Sequence, residues 1–208
     1  MKAMPGALTL RVSLAVLAIA VTAVTGCTWL SPPKNKIDKA VLNQMPLELP
    51  HREGHGSTLL VFPPETASIY DTTQMVYRDR PHQVAYFGQN EWAETPSQML
   101  HPLVVKTLEN TGYFRAVLTP PYTGRYTYAL RTEILEVTQD FTSQPATLVL
   151  SLRLQLADAA AAHVIATKEI SLREPMQQRT PYAGVAAANE ATAKALQEVA
   201  VFVLAKAD

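Results

Sequence analysis

Four groups of residues in this sequence are of the types from which sites are built. His51-Arg52-Glu53-Gly54-His55 sets two imidazoles around a carboxylate, which raises the chemistry of a metal-bound water. The zinc-protease motif, however, needs Glu directly after the first His, on a helix, so that both rings meet one ion. Here Arg52 intervenes, and Gly54 with Pro46 and Pro50 opposes a helix, so His51 and His55 read as solvated loop residues. Glu91 and Glu94 flank Trp92, a carboxylate pair beside an aromatic such as a glycosidase uses. The plainer reading is a segment leading into a helix, whose acids favour the positive helix end. Tyr70, Tyr77, Tyr86, Phe87 and Trp92 crowd together with Arg78. That composition suits an interface hot spot, and equally a core. Cys27 is the single thiol. His82, His101 and His163 lack ligand spacing, and no nucleophile elbow, phosphate loop or dinucleotide fingerprint occurs. The residues thus point to a non-catalytic protein with no metal and no bound cofactor.

Cys27 gains meaning from what surrounds it. A cationic start with Lys2 and Arg11 is followed by an apolar run from Val12 to Val24, then Thr25 and Gly26. A run of thirteen residues is too short to span a bilayer, which takes roughly 20. A charged start, a short apolar middle and small residues at the end describe a secretory signal peptide. An ordinary secreted protein would make the unpaired cysteine awkward. Val24-Thr25-Gly26-Cys27 resembles instead the lipobox of bacterial lipoproteins. The resemblance implies cleavage before Cys27 and a covalent lipid on it, with residues 1–26 as signal peptide. Two or more acyl chains hold a protein stably on a membrane. Thr28 stands where Asp would signal inner-membrane retention, so the resemblance implies the outer membrane, with the protein facing the periplasm.

A chain without residues 1–26 keeps 182 residues, with 16 basic against 18 acidic side chains. That length suits one domain with its own core. The balance is no footprint for nucleic acid, which calls for a clustered basic surface. With one cysteine there is no disulfide to rely on, so stability must come from packing.

Residues 27–56 read as lipidated cysteine and tether. Ser31-Pro32-Pro33-Lys34 cannot build a helix, although Leu47 and Leu49 alternate as in an irregular first strand. A folded domain is expected over residues 57–208. Leu59 to Phe62 form a short apolar run before Pro63-Pro64, and Ile69-Tyr70, Met75–Arg78 and Gln83–Phe87 read as short strands. Thr95 is a candidate N-cap, with Pro96 first in the helix and Gln98 completing a capping box. Gly112 supplies the stop, and Pro102 should kink or delay the helix. Tyr113 to Leu118 is a further strand candidate. Between Tyr126 and Asp140 the apolar positions change parity after Ile134, which suggests a bulge or a strand buried on both faces. Leu148, Leu150, Leu152, Leu154 and Leu156 alternate with polar residues, as in a half-buried strand, and pair with a segment around Val164 to Leu172. The stripe reads as core more readily than as a lipid groove. Tyr182 to Lys206 is an alanine-rich amphipathic helix that closes over the sheet. The expected fold is α+β, a mainly antiparallel sheet packed against two helices.

The middle of the chain also resembles a known family. Ile69-Tyr70, Val76-Tyr77-Arg78, Tyr86-Phe87, Glu91-Trp92-Ala93-Glu94-Thr95-Pro96, Met99-Leu100 and Gly112-Tyr113-Phe114 are similar to the ABC-type transport auxiliary lipoproteins, which include the lipoprotein of the Pqi system. The resemblance covers roughly residues 57–205. It implies a non-catalytic partner of an MCE-domain protein and an inner-membrane ABC permease with its ATPase, in lipid transport between membranes. Partner contacts then fall to Tyr70, Tyr77, Arg78, Tyr86, Phe87 and Trp92, and a homo-oligomer is compatible with the sequence. The competing expectation is an outer-membrane lipoprotein that activates a peptidoglycan enzyme, which shares the plan of a tether and a small α+β domain.

Overall fold

The computed structural model describes residues 36–207. The signal peptide, Cys27 and the Ser31–Pro33 part of the tether lie outside the described residues. The folded unit begins at Ile37, not at Ser57, and its elements follow the order strands, helix, strands, helix. These are β1 (Asp38–Ala40), β2 (His55–Val61), β3 (Glu65–Thr66), β4 (Gln74–Arg78), β5 (Ala85–Trp92), α1 (Pro96–Asn110), β6 (Phe114–Leu118), β7 (Tyr128–Asp140), β8 (Thr147–Asp158), β9 (His163–Pro175) and α2 (Pro181–Lys206).

Strand β7 is the hub of the sheet. One edge pairs antiparallel with β8 along its length, and β8 pairs antiparallel with β9. The other edge takes three short parallel partners end to end: β2 at Tyr128–Leu130, β3 at Glu133–Ile134 and β4 at Gln139–Asp140. β6 extends the sheet beyond β2, while β5 and β1 extend it beyond β4. The long meander is therefore antiparallel, with parallel additions at its side. The parity change in the sequence is a bulge, since Ile134 faces Leu152 and Glu136 faces Ser151, leaving Leu135 unpaired. One extra residue flips the alternation of every residue after it. Glu133 before the bulge and Glu136 after it consequently share a face.

The leucine stripe of β8 is core. Leu152, Leu154 and Leu156 are fully buried, and α2 packs on β8 and β9. Burying each such side chain contributes about 1.5–3 kcal/mol. The buried face of α2 is wide and made of small residues, Ala187, Ala188, Ala191, Thr192 and Ala195 among them, which lets the helix lie close to the sheet. Closest is Gly184, where a Cβ would fall 2.0 Å from the Gln139 side chain. The opposite face of the meander is polar, and Arg153 bridges Glu133 at 2.7 Å and Glu169 at 2.9 Å across three strands.

Helix α1 starts with the capping box the sequence calls for. The Gln98 amide donates to Thr95 Oγ1 at 3.4 Å and the Thr95 amide to Gln98 Oε1 at 3.0 Å. The helix nevertheless runs through Pro102, which lies on its exposed side. There the Gln98 carbonyl, deprived of its partner, can bond water. Gly112 follows the C-cap at φ 65°, a left-handed conformation open to glycine.

Two further expectations change. Ile69-Tyr70 is a turn, not a strand. The segment read as tether, with an irregular first strand suggested at Leu47 and Leu49, is tied down from residue 37 onward: β1 pairs in parallel with Asn90–Trp92 of β5, and Leu42 is buried. Asn189 of α2 then clips the chain, its Oδ1 accepting from the amides of Asn43 at 2.8 Å and Gln44 at 3.1 Å, and its Nδ2 donating to the Val41 carbonyl at 3.0 Å. Leu47, by contrast, is fully exposed and joins no strand.

Candidate functional surface

The six residues singled out as partner contacts do not form one surface. Trp92 ends β5 at 2% exposure and belongs to the core. Tyr70 is 7% exposed, with its hydroxyl accepting from Thr138 Oγ1 at 3.1 Å, and burial pushes its phenol pKa up. Tyr86 is 41% exposed but sits on the other face of β5 from Phe87, where its hydroxyl donates to the Ile69 carbonyl at 3.3 Å. Pattern alone could not separate these. Alternation within a strand fixes which aromatics share a face, but it does not show which face is covered.

What remains comes together. Tyr77 of β4 and Phe87 of β5 pack with centroids 4.4 Å apart. Phe141, the residue after β7, completes the cluster edge-on, at 6.1 Å from Tyr77 and 6.3 Å from Phe87. Arg179, in the turn before α2, lies over the Phe141 ring at 5.2 Å. All three rings are half-buried and Arg179 is exposed. Phe141 carries no signal in the sequence, because its place depends on the parallel pairing of β4 with β7, continued by its amide donating to the Arg78 carbonyl at 2.7 Å.

Arg78 points to the other face of β4 and joins an ionic cluster. It bridges Glu136 at 3.0 Å and Asp140 at 3.4 Å, and Arg173 reaches the same Asp140 oxygen at 3.3 Å. The second Asp140 oxygen accepts from the amide of Thr142 at 2.9 Å and from its hydroxyl at 2.5 Å. Burial opposes ionisation of Asp140, but the Thr142 hydrogen bonds and the two guanidinium charges outweigh it and hold the carboxyl below its usual range. This cluster neutralises its own charges and reads as a structural tie between β4, β7 and β9.

The residues weighed for catalysis are elsewhere. Glu91 faces Lys39 at 3.9 Å, His55 stacks on Tyr113 at 5.9 Å, and His101 Nε2 meets the Val61 carbonyl at 3.2 Å. Among the described residues no group of three His, Cys, Asp or Glu side chains could hold a metal ion, and no helix is long and apolar enough to cross a membrane.

The described residues thus form a body of sheet and helices with a small aromatic cluster that has a cation at its rim. The chain belongs to the family described as the ABC-type transport auxiliary lipoprotein component, whose model matches residues 41–200. That match includes the clipped segment after Val41, ahead of the region in which the sequence motifs lie. No curated protein matches the sequence. The fold is similar to the crystal structure of protein XCC0632 from Xanthomonas campestris, at a TM-score of 0.72 and 21% identity over 83% of this chain and 96% of that one. A second crystal structure, of an uncharacterized protein, matches at a TM-score of 0.66 and 15% identity, covering 81% of this chain and 99% of that one.

Proposed function

We propose that this protein is a non-catalytic adaptor of an envelope lipid-transport system, lipid-anchored at Cys27 in the outer membrane and facing the periplasm. The observation that carries the reading is the Tyr77, Phe87, Phe141 and Arg179 cluster, on a chain of the ABC-transport auxiliary family. Tyr, Phe and Arg are all enriched at protein interfaces, and Tyr and Arg recur among the residues that dominate binding energy there. Its partner in this reading is an MCE-domain protein, which links it to the ABC permease and ATPase of the inner membrane. The chemistry of transport, including ATP hydrolysis, belongs to those partners.

Affinity purification of the tagged lipoprotein from envelope extracts tests this. The MCE-domain protein is expected to co-purify with it, and to be lost with a Phe87→Ser and Phe141→Ser double variant. Recovery of a peptidoglycan synthase in its place would overturn the reading in favour of a cell-wall activator. The anchor has its own test: Cys27→Ser should abolish palmitate labelling, and unchanged labelling would refute the lipid site.

A further inference from the structure

We propose that the face formed by the clipped segment Ile37–Glu48 and the first turns of α2 rests against the lipid surface that carries the anchor. This rests on the reading of Cys27 as the lipidated residue. Of the nine large apolar side chains exposed among the described residues, four lie on this face: Ile37 at 45%, Val41 at 46%, Leu47 at 101% and Tyr182 at 82%. They are not scattered. Val41 and Tyr182 line one cavity of about 450 Å³ with Val185, and Leu47 lines the next hollow along α2, beside Ala193. Tyr182, Val185, Asn189 and Ala193 recur at helical spacing, so the segment runs beside one face of α2.

The length of chain decides which occupant fits. With the body beginning at Ile37, nine residues (28–36) separate it from Cys27. The ten Cα steps from Cys27 to Ile37 span about 33–36 Å when fully extended, comparable with the roughly 31–40 Å breadth expected of a body this size. A tether of that length favours the side from which the chain emerges, over the opposite side, as the one turned toward lipid. Two of its lysines are neutralised on the protein itself, Lys39 by Glu91 at 3.9 Å and Lys194 by Glu174 at 2.5 Å, so the contact with lipid rests on the apolar side chains. An exposed tyrosine among aliphatic side chains is the mixture that settles at a headgroup boundary. Phe87 lies three residues along β5 from Asn90 in the cavity wall, roughly 10 Å away. The docking cluster thus borders this face, with Arg179 three residues before Tyr182.

The full lipoprotein, reconstituted in vesicles of phosphatidylethanolamine and phosphatidylglycerol with part of the acyl chains brominated, provides the test. Because Cys27 is the sole cysteine, a single added thiol can be labelled alone. Fluorophores at Tyr182→Cys and Leu47→Cys should be quenched by the brominated chains at least about threefold more than one at Thr167→Cys, which is exposed on β9 far from this face. Equal quenching at the three sites in protein that floats with the vesicles would overturn the proposal while sparing the anchor. Excimer formation between pyrene labels at position 182 would also overturn it, by showing a second copy on this face. Protein that fails to float would remove the anchor reading, and the proposal with it.

Discussion

The carboxylate of Asp140 is 3% exposed, yet it stays ionised because Thr142, Arg78 and Arg173 together outweigh the cost of its burial. A carboxyl whose folded pKa lies below its unfolded value, about 3.9, stabilises the fold fully above that unfolded value. The contribution fades as pH falls through the folded pKa. Replacing Asp140 with Asn keeps the shape and removes the charge. It should cost about 1–3 kcal/mol at neutral pH, at the level of charged hydrogen bonds, because both arginines retain access to water. Thermal unfolding of wild type and Asp140→Asn should therefore differ most above pH 5 and converge toward pH 2. A gap that is constant over this range would mean that the charge contributes nothing. The sequence showed Arg78 and left Asp140 unmarked, since a carboxylate at the end of a strand looks like any solvated acid until β4 is laid parallel to β7.

At the scale of elements, local signals were legible wherever the physics is local. The capping box at Thr95 and Gln98, the stop at Gly112, the parity change at Leu135 and the leucine alternation of β8 all follow from neighbouring residues, and each is present. Strand β1 was not legible. Asp38-Lys39-Ala40 has no apolar alternation; it is held by backbone pairing to a strand about fifty residues on, and one asparagine on the last helix ties down the residues that follow it. Asn189→Ala should remove those three bonds, at a cost of about 1–3 kcal/mol. Hydrogen exchange should then rise at the Asn43 and Gln44 amides while β7 and β8 keep their protection. Uniform acceleration across the sheet would show that the segment is part of the global folding unit. Gly184 makes the complementary case within α2. Alanine is the better helix former by roughly 1 kcal/mol, but its Cβ would strike Gln139, which is 1% exposed and donates to the Pro181 carbonyl at 3.4 Å. Gly184→Ala should destabilise the protein by about 1–3 kcal/mol in denaturant titration, as overpacking does. A stabilised variant would show that Gln139 can move aside.

For the molecule as a whole, the proposed function has folding and docking draw on different residues, and that separation can be measured. The core lies between the meander and α2, with Leu152, Leu154 and Leu156 fully enclosed. Tyr77, Phe87 and Phe141 sit at the margin of that core, half-buried, where a partner would complete their enclosure. Leu154→Ala should cost about 2–5 kcal/mol through the cavity it leaves. Whatever protein remains folded should still bind, because the cavity lies away from the cluster. The Phe87→Ser and Phe141→Ser pair should do the reverse. Each half-buried ring gives up only part of its burial energy on folding, so the melting temperature should fall less than in Leu154→Ala, while partner recovery should fall at least about tenfold if two rings act as anchors. Measuring both quantities on both variants separates the roles. If binding tracks melting temperature through the whole set, the aromatic cluster is merely the edge of the core, and the docking surface must be sought on another face.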